Sequence, residues 1–107
     1  SCECMTEAAN GFDIEAIDEV IHGRIRLGVM AYLSSVGSAD FNELKAKLQA
    51  TDGNLSVHLR KLEDAGYVTV DKAFVDRKPR TKVTLSDEGR SAFVRYLDAM
   101  QKLVADR

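Results

Sequence analysis

The chain has 107 residues, a length that predicts one compact domain rather than two. Hydrophobic residues make up 45% and charged residues 30% of the sequence, with a single proline, and this balance excludes a disordered chain. The apolar stretches are too short to cross a bilayer, and the segment from Cys2 to Asp18 carries acids where a secretory signal needs basic residues. We therefore expect a cytoplasmic protein.

The net charge of −2 is distributed unevenly along the chain. Residues 1–22 contain six acidic residues and neither Lys nor Arg, whereas the remainder contains 15 basic residues against 11 acidic ones. The densest basic cluster consists of Arg77, Lys78, Arg80 and Lys82. Because nucleic acids bind local patches of cations, this cluster favours a nucleic-acid partner in spite of the negative total.

Two helices are predicted in the N-terminal part of the chain. Residues 1–11 are expected to form a disordered tail, followed by a single domain over residues 12–107. Apolar residues recur at helical spacing among the acids and indicate a first, acidic helix: Phe12, Ile14, Ile17 and Ile21. After an interruption at Gly23, apolar residues cover most of the circumference of a second helix, which ends at Gly37 and Ser38.

A pair of short helices follows. Asp40 and Glu43 fit a capping box at the start of the first, whose apolar stripe is Phe41, Leu44 and Leu48. Thr51 can cap the second, a helix over residues 52–65 with an inward stripe of Leu55, Leu59 and Leu62. The sequence therefore predicts two helices joined by a tight turn.

A β-hairpin and a final helix complete the predicted elements. Val68 and Val70, and then Val83 and Leu85, alternate with polar residues as half-buried strands do, and a loop over residues 73–79 links them. Ser86 caps a last helix over about residues 87–104, whose apolar residues are Phe93, Tyr96, Leu97, Met100, Leu103 and Val104. This stripe is wider than a small core needs, so we expect a partner helix to cover it in a homodimer. The fold class is mainly α with a small β-hairpin, an α+β fold.

A helix pair followed by a basic hairpin is suited to double-stranded DNA, because a helix fits the major groove while cations beside it neutralise phosphates. The second helix of the pair turns a polar face outward, comprising Asn54, Ser56, Val57, His58, Arg60 and Lys61. Asn can pair with adenine and Arg with guanine, so Asn54 and Arg60 are the predicted base readers. His58 either contacts phosphate or satisfies a hydrogen bond within the protein. The hairpin contribution is assigned to Arg77, Lys78, Arg80 and Lys82, for which a solvated hairpin tip is the alternative.

The run from Asn54 to Val68 resembles the recognition helix of the ArsR- and MarR-type winged-helix regulators, in which Leu-Ser-x-His-Leu precedes Leu-x-x-Ala-Gly-x-Val. The segment from Arg80 to Ser86, followed by Gly89 and Arg90, is similar to the wing and the start of the final helix in the MarR-like branch. The resemblance spans roughly residues 12–104. It implies a winged helix-turn-helix with N- and C-terminal dimerisation helices, in a bacterial or archaeal homodimer that usually represses transcription from a pseudo-palindromic operator. A small-molecule effector is a further expectation, although no polar cluster marks its pocket.

Several alternatives to this interpretation stay open. A winged helix can also serve as a protein-interaction module that does not bind DNA. Cys2 and Cys4 are too few for a closed zinc site and are expected to lie in a frayed tail, with a redox or metal switch as the other hypothesis. The Cys-containing ligand pair of metal-sensing ArsR-like proteins does not occur, and neither a metal nor a cofactor is expected. No nucleophile, base and acid arrangement and no phosphate-binding glycine loop can be identified, so an enzyme is not expected.

Overall fold

The computed structural model describes residues 13–105, and its helices and strands confirm the predicted α+β class. The helices are α1 (Arg24–Val36), α2 (Phe41–Leu48), α3 (Asp52–Asp64) and α4 (Asp87–Ala105). The strands are β1 (Ser38–Asp40), β2 (Val68–Val75) and β3 (Lys78–Leu85). The predicted tail over residues 1–11, with Cys2 and Cys4, lies outside the described residues.

The predicted first acidic helix is wrong within the described residues. Residues Ile14–Ala16 form only a short 3₁₀ turn, and the chain then turns again where the Asp18 carboxylate accepts hydrogen bonds from the backbone N–H groups of Val20 and Ile21. Ile17 and Ile21 are nevertheless buried, because their apolar side chains pack on the core from this irregular segment. Ile14, from the same apolar stripe, is 65% exposed, so only part of the stripe packs on the core. Phe12 lies outside the described residues.

The sheet has three antiparallel strands in the order β1-β3-β2, and β1 was not predicted from the sequence. Ala39 pairs with Val83, and both side chains are buried. Three residues are too few for a two-residue alternation to be recognised, and the strand exists because β3 offers it an edge. The sheet thus joins the start of the helix pair directly to the hairpin.

The two helices of the pair meet as predicted. Gln49, with a φ of 52°, ends α2 in the left-handed conformation, and the Thr51 hydroxyl caps α3 by accepting a hydrogen bond from the Asn54 N–H at 3.1 Å. The capping box at Asp40 does not form, because that carboxylate instead pairs with Arg80 at 3.4 Å. The leucine stripe of α3 is buried against α1, in a core that includes Val29, Met30, Leu33, Leu44, Leu55, Leu59 and Leu62.

The hairpin is longer than predicted and its turn is shorter. The strands continue to Val75 and resume at Lys78, so the connection is Asp76 and Arg77 rather than a loop over residues 73–79. Both connecting residues have positive φ, 52° and 66°, as a two-residue type I′ turn requires. Asp tolerates this conformation, and the right-handed twist of the strands favours it. The result is a two-stranded ribbon with a narrow tip.

Helix α4 begins as predicted and then enters the core. The Ser86 hydroxyl accepts a hydrogen bond from the Gly89 N–H at 2.9 Å and donates one to the Gly66 carbonyl at 2.6 Å. A Cβ on Gly89 would lie 2.1 Å from the carbonyl oxygen of Tyr67, so only glycine allows this approach. Phe93 and Tyr96 are then buried within the same chain, 7% and 3% exposed.

Candidate nucleic-acid interface

Helix α3 turns its polar face outward. The three leucines of its inner face are buried, which leaves the predicted DNA-contacting residues Asn54, Ser56, Val57, Arg60 and Lys61 exposed. A salt bridge of 2.7 Å between Lys45 and Asp52 joins the end of α2 to the start of α3. The helix is thus held at its N-terminus by a cap and an ion pair, and along its length by the core, so that its outer face is presented on a rigid support.

His58 differs from the other predicted contacts on α3, because it is half-buried and bonded within the protein. Nη1 of Arg26 lies 2.8 Å from Nδ1 of His58. Since a guanidinium only donates, Nδ1 must accept and the histidine carries its proton on Nε2. Burial, with Arg26 and Lys61 nearby, lowers the pKa of His58 and keeps the ring neutral. Arg26 also donates from Nε to the Val20 carbonyl, so it ties the N-terminal segment to the recognition helix.

The predicted hairpin cations do not all lie on one surface. The register places Lys78, Arg80 and Lys82 on one face of the ribbon, while Arg77 lies in the turn. Arg80 pairs with Asp40, an exposed contact that a phosphate can replace at little cost. Lys82 stands opposite Asp71 on β2 and Asp40 on β1. Carboxylates therefore accompany the cations near the base of the ribbon, and the cations at its tip are the stronger candidates for a phosphate contact.

The opposite face of the ribbon and helix α3 enclose a groove of about 290 Å³. From α3 it is lined by Ser56, Leu59, Arg60 and Glu63, and from the ribbon by Val70, Lys72 and Thr81, with Phe41 of α2 at its side. Lys72 and Thr81 are directly opposed across the two strands. Two cations and two hydroxyls, the groups that commonly bind phosphate, thus line the space between helix and hairpin.

Lys72 was missed by the sequence analysis. The two-residue alternation of Val68 and Val70 continues past Asp71 through Lys72 to Phe74. This period places Lys72 on the same face as buried Val68 and half-buried Val70, which is the face towards α3. The two-residue period of the sequence was therefore sufficient to predict the position of Lys72.

The end of the molecule formed by the N-terminal segment and α4 combines apolar and acidic side chains. A cavity of about 810 Å³ lies between them, lined by Ile14, Glu15, Ile17, Asp18, Glu19, His22, Met100 and Leu103. Nδ1 of His22 lies 2.8 Å from the hydroxyl of Tyr96, so this histidine has a partner that its sequence context did not show. Leu97 and Val104 are 50% and 59% exposed, whereas Met100 and Leu103 are half-buried. Of the six residues assigned to a dimer interface, these four remain accessible at the surface of α4.

Two properties of the described residues bear on other classes of site. Within residues 13–105, His, Cys, Asp and Glu side chains do not gather in a group of three or more that could hold a metal ion. Among the same residues, no helix is long and apolar enough to cross a membrane.

The family model of the winged helix DNA-binding domain matches residues 25–104 of the chain. The chain belongs to this family. It is 35% identical over 79 residues to an uncharacterised protein of Methanocaldococcus jannaschii, a match that covers 74% of this chain and 86% of that protein. The structure of a transcriptional regulator homologue from Pyrococcus horikoshii OT3 is 31% identical and superposes with a TM-score of 0.78, covering 94% of this chain and 96% of the other.

The fold is also shared by overoxidized AbfR, whose structure was determined bound to DNA. That structure is 17% identical, has a TM-score of 0.71 and covers 98% of this chain and 79% of its own. The family model confirms the expected winged-helix DNA-binding domain, and together with the regulator homologue from Pyrococcus horikoshii it supports a DNA-binding regulator.

Proposed function

We propose that the protein is a homodimeric transcriptional repressor that binds a pseudo-palindromic operator. Each protomer places α3 in a major groove and the wing, the ribbon formed by β2 and β3, on the flanking backbone and minor groove. The observation that supports this proposal best is the groove between α3 and the wing. When a helix lies in the major groove and a ribbon lies at the adjacent minor groove, the phosphate backbone between the two grooves runs between helix and ribbon. The space between α3 and the wing is lined by Arg60, Lys72, Ser56 and Thr81.

The exposed side chains divide into two roles. Asn54 and Lys61 lie on the outer face of α3, where they can reach base edges, and we retain Asn54 as a base reader. Arg60 lines the groove, so it can contact either guanine or the intervening phosphate. Lys72 and the tip cations Arg77 and Lys78 neutralise phosphates and carry no base preference. His58 has its hydrogen bond from Arg26, which favours a supporting role over a phosphate contact.

Dimerisation is proposed to use the outer surface of α4. Leu97 and Val104 are exposed there, next to half-buried Met100 and Leu103, and a second copy related by a two-fold axis would cover the same side chains on both protomers. Two α3 helices would then address half-sites about one helical turn, about 34–36 Å, apart. The repressor role rests on the family resemblance. The effector stays a prediction, for which the cavity between the N-terminal segment and α4 offers room.

Selection of bound duplexes from a random DNA pool tests this proposal. We expect enrichment of an inverted repeat whose half-site centres are about one helical turn apart. On the selected duplex, Lys72→Ala should weaken binding equally for matched and mismatched sites and reduce the salt slope by about 1. Asn54→Ala should instead reduce discrimination at one base pair by about 1–3 kcal/mol.

Lys102→Ala is the matched control, because Lys102 is an exposed lysine of α4 paired with Asp98, at the other end of the molecule. Its affinity for the selected duplex should equal that of the unchanged protein. If the protein fails to bind any duplex at low salt and micromolar concentration, the proposal is wrong and a protein-interaction module becomes the better interpretation.

A further inference from the structure

The tip of the wing carries apolar side chains on its surface. Phe74 is 77% exposed and Val75 is 50% exposed, and Pro79 stands directly opposite Phe74 across the two strands. A buried phenylalanine would contribute favourably to folding, whereas an exposed one contributes little. Phe74 is the most exposed of the large apolar residues within the described part of the chain. Its position therefore calls for an explanation other than stability.

The register fixes which way Phe74 faces. Side chains two residues apart on a strand share a face, so Phe74 lies on the same face as Lys72, and Pro79 on the same face as Thr81. Lys72 and Thr81 line the groove towards α3. Phe74 and Pro79 thus extend the DNA-facing surface of the wing to its tip, while Lys78 lies on the opposite face.

The shape of the wing allows its tip to enter a groove. Beyond half-buried Val70 and its partner, buried Val83, each strand continues for five residues, which carries the turn roughly 17 Å from the core. The connection is a two-residue turn, the shortest common hairpin connection. The ribbon therefore ends in a narrow edge that presents an aromatic ring.

We infer that Phe74, supported by Pro79, is a wedge that inserts from the minor groove between two base pairs and kinks the DNA. Proteins that bend DNA in this way place an apolar side chain, commonly Phe, Leu, Ile, Met or Pro, against a base step and open it towards the major groove by about 20–90°. The inference rests on the proposed function, since it needs α3 and the wing to bind DNA. The wedge adds two properties to the proposed function, namely bending of the DNA and a sequence preference at base pairs that α3 does not reach.

Charge favours DNA as the occupant of this surface. Residues 71–82 contain five cations, Lys72, Arg77, Lys78, Arg80 and Lys82, against two carboxylates, Asp71 and Asp76, a net charge of +3. Lys72 shares the face of Phe74 and Arg77 lies in the turn, while Lys78, Arg80 and Lys82 lie on the opposite face of the same narrow ribbon. A tip that combines an apolar ring on one face with cations on both faces is complementary to stacked bases between two lines of phosphates. Pyrimidine–purine steps unstack most easily, so the wedge selects TA or CA steps beside the half-site.

Base unstacking provides the test. The selected duplex is prepared with 2-aminopurine at successive positions beside the half-site, because the fluorescence of this base rises when its neighbours unstack. Binding of the unchanged protein should raise the fluorescence at one step and shorten the distance between dyes at the duplex ends. Phe74→Ser should abolish both changes while the protein still binds, and Phe74→Leu should keep part of both.

Val75→Ser is the matched control, since Val75 is an exposed apolar residue at the same tip but on the other face of the ribbon. It should unstack and bend the duplex like the unchanged protein. Selection repeated with Phe74→Ser should also lose the enrichment of pyrimidine–purine steps beside the half-site.

Two outcomes would overturn the wedge and leave DNA binding intact. One is a Phe74→Ser protein that binds, unstacks and bends the duplex like the unchanged protein. The other is self-association that depends on Phe74 without DNA, seen by sedimentation, because the ring would then be covered by a second copy. Absence of binding to any duplex would instead contradict the proposed function itself.

Discussion

The two ends of the molecule differ in how the apolar stripe of their main helix is covered. At the end formed by α3 and the wing, the stripe of Leu55, Leu59 and Leu62 is buried within the chain, and the exposed apolar residues are Val57 and the wing-tip residues Phe74 and Val75. At the end formed by α4 and the N-terminal segment, one helix supplies both buried core residues and exposed apolar ones. The stripe of α3 is therefore explained by contacts within one chain, whereas the exposed apolar residues of α4 call for a second chain to cover them.

This difference comes from the length of α4 relative to the core. The first turns of α4 pack on α1 and the N-terminal segment, which buries Ala92, Phe93 and Tyr96. The same stripe continues to Met100 and Leu103, which the protomer covers only in part, and the neighbouring Leu97 and Val104 are exposed. Helix α4 thus packs into the core at its start and carries the proposed dimer surface further along.

The largest expected effect is on folding, at the core part of α4. Phe93→Ala should lower the free energy of unfolding by about 3–5 kcal/mol, because it leaves a cavity among buried side chains. Urea denaturation measures this loss, which should be the same at high and low protein concentration because the cavity lies within one protomer. Leu97→Ala is the comparison, and its effect should disappear once dilution has separated the protomers. A loss below about 1 kcal/mol for Phe93→Ala would contradict its place in the core.

The next effect is on assembly, at the outer part of α4. Leu97→Glu should convert the proposed dimer to a monomer, because a carboxylate would be buried against the partner helix. Sedimentation measures the mass, and affinity for the full operator should fall about 100-fold or more as the two half-sites lose their linkage. Ser91→Glu adds the same charge to an exposed position of α4 and should leave the dimer intact. A dimer that survives Leu97→Glu would place the interface elsewhere.

The sequence predicted those parts of the fold that depend on local chemistry. The caps at Thr51 and Ser86 are hydrogen bonds within three residues, and the stripe on α3 follows from helical spacing alone. The exposed face of α3 was predicted for the same reason, since burying one side of a helix fixes the other. Family resemblance then supplied the regulator function that local chemistry does not carry.

The features that were missed depend on distant partners. Strand β1 exists through pairing with β3, more than 40 residues later, and Asp40 gives up its capping role to Arg80 on that strand. The spacing of Ile17 and Ile21 suits a helix, but hydrogen bonds to Asp18 turn the chain there. The partners of His22 and His58, Tyr96 and Arg26, lie on other elements. Such contacts appear only once the elements are packed together.

The smallest expected effect concerns a hydrogen bond that links the two ends of the molecule. The hydroxyl of Tyr67, at the base of the wing, donates it to the carboxylate of Asp18 in the N-terminal segment. Burial and this hydrogen bond raise the pKa of Tyr67 to about 12, above its usual value of about 10. The folded chain thus holds the hydroxyl proton that the unfolded chain loses between these two values. The contribution of Tyr67 to stability is complete below pH 10 and is lost as the pH rises towards 12.

Replacing Tyr67 isolates this contribution from the many lysines that also titrate at high pH. At neutral pH, Tyr67→Phe should lower the free energy of unfolding by about 1 kcal/mol, the net value of one such hydrogen bond. Urea titrations at a series of pH values should show the difference between the two proteins shrinking from about pH 10 to about pH 12, because lysines affect both alike. In an Asp18→Asn background the difference should be smaller and should shrink at lower pH. A constant difference across this range would mean that Asp18 and Tyr67 do not join the two ends of the molecule.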